Sequence, residues 1–197
     1  IENFESILIQ NLSTTSPDSV FSSLLIISKI IDQISTKNKT TFLTYIIQCC
    51  EIRIHSISEL AFSILLEVGF DYFSEDILSS LIVLTLNECV AAVNHPELLN
   101  LILQYILQLL FNQKIPFDLS NELFELLFNL FESEFSADVK DKIILCFAGF
   151  LDCFCSEKVE LLLQQIVPIF IEASKAFDIR CPLSQAAAVE SLAVSMS

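Results

Sequence analysis

The side chains able to do chemistry are few, and their spacing suits none of the common reactions. The two histidines, His55 and His95, stand forty residues apart, and neither belongs to a helical His-x-x-x-His pair of the kind that grips zinc. Cys153-x-Cys155 has no second cysteine pair and no neighbouring histidine to complete a tetrahedral ligand set. If that segment is helical, residues two apart point to different faces in any case. Only two glycines occur, Gly69 and Gly149, so a glycine-rich phosphate loop is impossible. Neither a Gly-x-Ser-x-Gly elbow nor a Cys/His nucleophile pairing is present. The adjacent carboxylates Glu75 and Asp76 follow Ser74, where acids complement the positive end of a helix dipole. The sequence therefore predicts no catalytic residue, no metal site and no cofactor. A chain of this kind is expected to hold another macromolecule rather than to catalyse a reaction.

The seven cysteines, Cys49, Cys50, Cys89, Cys146, Cys153, Cys155 and Cys181, are an odd number scattered inside apolar runs. There they read as small hydrophobes, and a chain of 197 residues needs no disulfide staples. A reducing, intracellular setting is expected, cytoplasm or nucleus. The chain opens at Ile1 and its one methionine is Met196, which suggests a single segment, 1–197, of a longer protein. The longest uncharged stretch, Leu98–Gln113, carries Asn100, Gln104, Gln108 and Asn112. It falls short of the roughly 20 mostly apolar residues of a spanning helix, so no membrane span is expected.

What must position any functional residue is helix. The chain is 53% hydrophobic, with 17 Phe, two Gly and five Pro, and so few breakers argue against a sheet, which turns every few residues. Ser16-Pro17-Asp18, Ser74-Glu75-Asp76 and Ser156-Glu157 offer caps followed by acids, and His95-Pro96-Glu97 offers a first-turn proline. These signals, with the apolar periodicity, predict helices over 1–12, 18–35, 40–51, 53–69, 75–93, 96–112, 119–132, 137–153, 157–176 and 183–195. That is five pairs, with a repeat of roughly 40 residues.

Three charge triplets share a phase in this scheme: Glu51-Ile52-Arg53, Asp138-Val139-Lys140 and Asp178-Ile179-Arg180. With the degenerate Asn94-His95-Pro96 between the first two, the steps are 43, 44 and 40 residues. In such a slot the charges could satisfy orphan backbone groups at a turn and set the register between repeats. Small residues follow, Cys146 and Ala148 after Lys140 and Ala186-Ala187-Ala188 after Arg180, and Pro168 interrupts an earlier helix.

On these residues the chain resembles HEAT repeats of the HEAT/armadillo-like superfamily. The resemblance implies an all-α fold, a right-handed α-α superhelix of about five antiparallel helix pairs, and a non-enzymatic protein–protein scaffold or adaptor. The first pair lacks the basic residue and the third slot is degenerate, so the resemblance covers mainly residues 40–197. Leu161–Met196 is also similar to a repeat of importin-β-type nuclear transport receptors, which implies basic cargo. A regulatory or scaffold subunit of an enzyme complex fits the same residues.

In HEAT arrays the second helices line the concave surface that takes extended partners. The resemblance thus assigns His55, Glu59, Ser63 and Glu67, then Asn100, Gln104 and Gln108, as the candidate partner-binding strip. The same residues also fit the solvated strips of otherwise buried helices. Formal net charge is −15, and Ile54–Asp138 holds thirteen acids against the single base Lys114. Phosphate backbones are repelled by such a field, so no direct nucleic-acid binding is expected. The acidity fits either a basic peptide partner, beside neighbouring repeats of the parent chain, or the solubility of a very apolar protein.

Overall fold

The computed structural model describes residues 2–14, 16–133 and 135–154, with positions 164, 167–169 and 171. The described residues are all-helical, without strands. The α-helices are α1 (Glu2–Leu12), α2 (Pro17–Ile30), α3 (Thr36–Cys50), α4 (His55–Glu67), α5 (Glu75–Ala91), α6 (Pro96–Phe111), α7 (Ser120–Glu132) and α8 (Ala137–Phe154). Short 3-10 turns at Ile31–Gln33, Phe70–Tyr72, Ala92–Asn94 and Phe117–Leu119 precede or follow them. The helix expected over 157–176 is described only at positions 164, 167–169 and 171, and the helix expected over 183–195 and the slot Asp178-Ile179-Arg180 lie outside the described residues.

The start signals act as the local chemistry dictates. Ser74 caps α5, its hydroxyl accepting from the Ile77 N–H at 3.4 Å. Pro17 opens α2 after Ser16, whose side chain makes no capping bond, and Pro96 opens α6. A proline is tolerated at a first helical position because its missing N–H would have no intrahelical partner there.

The chain divides into two compact units, residues 1–105 and 106–197, the division falling inside α6. In the first unit α1 lies against α2 and α3, α2 against α4, and α3 against α4 and α5. Each helix turns a stripe spaced three and four residues apart inward: Val20, Leu24, Ile27 and Ile31 from the α2 segment, and Ile57, Ala61, Phe62, Ile64 and Leu65 from α4. Polar contacts register the packing. The Asn38 amide of α3 donates to the buried Glu5 carboxylate of α1. The Lys39 ammonium sits 4.8 Å from the Tyr72 ring centre, and the Thr40 hydroxyl donates to the Tyr72 carbonyl at 3.2 Å.

In the second unit α7 packs on α8. Leu123, Phe124, Leu127 and Leu130 of α7 are buried, while Glu122, Glu125, Asn129 and Glu132 on its other side are exposed. The core is aromatic: Phe124 lies 5.9 Å from Phe147 and 5.8 Å from Phe150, between ring centres. Phe150 in turn lies 4.7 Å from Phe154. Gly149 lets α8 approach the end of α6 closely, since a Cβ there would stand 3.3 Å from the Leu110 Cβ.

The α5 helix with the turn after it, Glu75–Asn94, forms a 20-residue stretch long and apolar enough by composition to cross a membrane. Glu88 interrupts its apolar run. That carboxylate is buried in the first unit and accepts a 3.3 Å hydrogen bond from the Ser58 hydroxyl of α4.

Candidate partner-binding strip

The α4 part of the strip begins where the backbone breaks from helix. Arg53 is held at φ 57°, in the left-handed region, and Ile54 is extended, so α4 starts at His55 rather than at 53. From there His55, Glu59, Ser63 and Glu67 recur every fourth residue, drifting about 40° per step. His55 and Glu67 are exposed, and Glu59 and Ser63 half-buried. The opposite side of α4 is core.

On α6, Asn100 is half-buried and Gln104 exposed. The Asn100 carbonyl oxygen is buried and finds no hydrogen-bond partner among the described residues. Gln108 is half-buried and belongs to the second unit. Within the first unit α4 and α6 meet through aromatic rings, Phe62 standing edge-on to Tyr105 with ring centres 5.9 Å apart. Tyr105 also lies 5.9 Å from Phe70. Its hydroxyl is fully buried without a partner among the described residues.

The strip also acquires a member that sequence reading did not give it. His95, placed just before α6, stacks on His55 with ring centres 3.4 Å apart and planes tilted by 31°. Their forty-residue spacing, close to the repeat length of roughly 40 residues, was the available hint of this contact. Two rings in face-to-face contact direct their in-plane lone pairs side by side rather than toward a common ion. Among the described residues no group of three or more His, Cys, Asp or Glu side chains is placed to hold a metal.

The two described charge slots occupy different positions relative to their helices. Glu51 ends α3 and is exposed, Ile52 is half-buried in the turn, and Arg53 is exposed two residues before α4. Asp138 and Lys140 lie inside the first turn of α8, on either side of the fully buried Val139. The Lys140 ammonium stands 5.5 Å from the Phe131 ring centre, a cation–π contact joining α7 to α8. Arg53 instead contributes through its backbone, a conformation that costs a side-chain-bearing residue about 1 kcal/mol and glycine almost nothing. Arg53→Gly is therefore expected to leave stability unchanged or raise it by up to about 1 kcal/mol. Arg53→Val is expected to lower it, with urea denaturation midpoints separating the two.

Four of the described thiols, Cys49, Cys50, Cys89 and Cys153, are poor nucleophiles. Burial pushes Cys49 up to about 11 and Cys89 up to about 12. Cys50 is raised further by burial and then by the nearby Glu88 carboxylate. Cys153, half-buried, is raised by burial and by Asp152, and its Sγ donates to the Leu110 carbonyl at 2.7 Å. A thiol held protonated at neutral pH attacks slowly. Compared with protein families, curated proteins and solved structures, the chain matches none at a significant level.

Proposed function

We propose that this chain is a non-enzymatic interaction scaffold, a HEAT-like array of helix pairs that holds a protein or peptide partner of basic character. The observation that carries the reading is the order of packing in the first unit. First helices lie on first helices, α1 against α3 and α3 against α5, and the second helix α2 lies on the second helix α4. Ring contacts extend that second row to α6. A stack of this kind buries each apolar face only against its neighbours and leaves one edge of every second helix in solvent. The acidic balance supports a basic partner, because an excess of one sign steers the opposite sign toward the surface.

The test is binding of a labelled basic peptide, followed by fluorescence anisotropy at low ionic strength. The parent should bind, and added salt should weaken binding as charges beyond about 8 Å are screened. Glu59→Lys with Glu67→Lys should weaken it roughly tenfold, because like charges at a contact oppose association. Glu122→Lys with Glu125→Lys, on the exposed side of α7, should have a smaller effect. Equal losses from the two double variants would mean that bulk charge attracts the peptide without a defined strip. No binding by the parent would leave solubility as the reason for the acidity.

A further inference from the structure

We propose that the basic partner is read through arginine, at the stacked imidazoles of His55 and His95; the inference rests on the scaffold reading above. The rings lie 3.4 Å apart, so each covers one face of the other. His55 remains exposed at the first position of α4, and His95 is half-buried just before α6. The α4–α6 contact does not depend on them, since Phe62 and Tyr105 already join those helices through buried rings. What the histidines add is a polar, flat π surface at the solvent edge.

Carboxylates neighbour the two histidines along their helices. Glu59 follows His55 by one helical turn, on the same side of α4. Glu97 follows His95 in the first turn of α6, and Glu51 ends α3 just before the turn. Glu51 and Glu97 are exposed and Glu59 is half-buried. One cation, the exposed Arg53, stands two residues before His55, leaving three carboxylates against one guanidinium. A flat ring face with neighbouring carboxylates matches a guanidinium better than an ammonium. Guanidinium is planar, sheds water readily, stacks on ring faces and meets carboxylates through a fork of N–H donors. Lysine offers a compact, strongly hydrated charge that gains little from a plane.

The experiment uses two labelled peptides of equal length and charge, one built on arginine and one on lysine, titrated against the whole chain at pH 8 and low salt. The parent should bind the arginine peptide about threefold more tightly, the size expected of an exposed cation–π contact. His55→Ala should bring the two affinities together by weakening only the arginine peptide. His55→Phe, which keeps a ring face, should retain the preference. Glu59→Gln should weaken both peptides, the arginine peptide at least as much as the lysine one. Because His55 is exposed, these variants should keep the parent's circular dichroism spectrum. Equal binding of both peptides by the parent, or a preference untouched by His55→Ala, overturns the arginine inference and leaves the scaffold reading standing. Failure of both peptides to bind overturns the two together.

Discussion

Phe147→Ala is expected to lower the unfolding free energy by about 3–5 kcal/mol, the range for emptying a fully buried aromatic site. Phe147 has no exposed surface and stands edge-on to both Phe124 and Phe131, with ring centres 5.9 and 6.5 Å away. Removing it therefore leaves a void between α7 and α8 and takes away two ring contacts. The neighbours are themselves large rings, which cannot turn into the space without losing contacts elsewhere. Phe111→Ala is the control. That ring is 64% exposed at the end of α6, and its loss should cost within about 0.5 kcal/mol. Urea denaturation of the two variants beside the parent gives the comparison. Equal midpoints for Phe147→Ala and the parent would remove the aromatic core of the second unit.

Alkali should destabilise the protein by a comparable amount. Cys49 is raised from an ordinary 9.0 to about 11 and Cys89 to about 12, in each case by burial. Cys50 and Tyr105 are raised in the same direction, again with burial as the first cause. A group whose pKa is higher in the folded than in the unfolded chain stabilises fully below its unfolded pKa. That stability is lost as pH rises through the folded value, because the unfolded state sheds its proton first. The window therefore opens near pH 9 and extends through 11 to 12. At pH 10.5 Cys49, Cys50 and Cys89 should each subtract roughly 2 kcal/mol relative to pH 7. Urea midpoints at the two values check this, and Cys49→Ala, Cys50→Ala and Cys89→Ala together should flatten most of the dependence. An unchanged midpoint in the parent would mean that these thiols meet water in the folded state.

The helices were legible in the sequence wherever apolar periodicity and a start signal coincide. Residues 75–93 and 119–132 are helical within a residue or two of the expected bounds, because Ser74 and the Glu122–Glu125 face announce them. The start of α3 was not legible. Thr36-Lys37-Asn38-Lys39-Thr40 is a polar run without a period, yet it is helical. Its Asn38 is held by Glu5 and its Lys39 by Tyr72, contacts made across the fold rather than along the chain. Arg53 shows the reverse case. It fell inside an expected helix, while a left-handed backbone there delays α4 to His55.

For the strip, fourfold spacing was enough to place His55, Glu59, Ser63 and Glu67 along one side of a helix. It was not enough to bring His95 onto His55, or to bury Glu88 beside Ser58, since both depend on which helix lies against which. A carboxylate in an apolar run was the available hint for Glu88. For the histidines the hint was a spacing of forty residues, close to the repeat length.

Among the described residues the two non-glycine positions with positive φ, Arg53 and Gln113, mark the connections α3–α4 and α6–α7, each with a cation in extended or irregular backbone. Arg53 itself is exposed, and Lys114, just after Gln113, is exposed as well. Between Lys39 and Lys140 the chain has no other lysine or arginine. A protease that cuts after basic residues thus meets no site within α4, α5 or α6. Its openings in that stretch are the two turns, and cleavage at both leaves residues 54–114 as one fragment with those three helices entire.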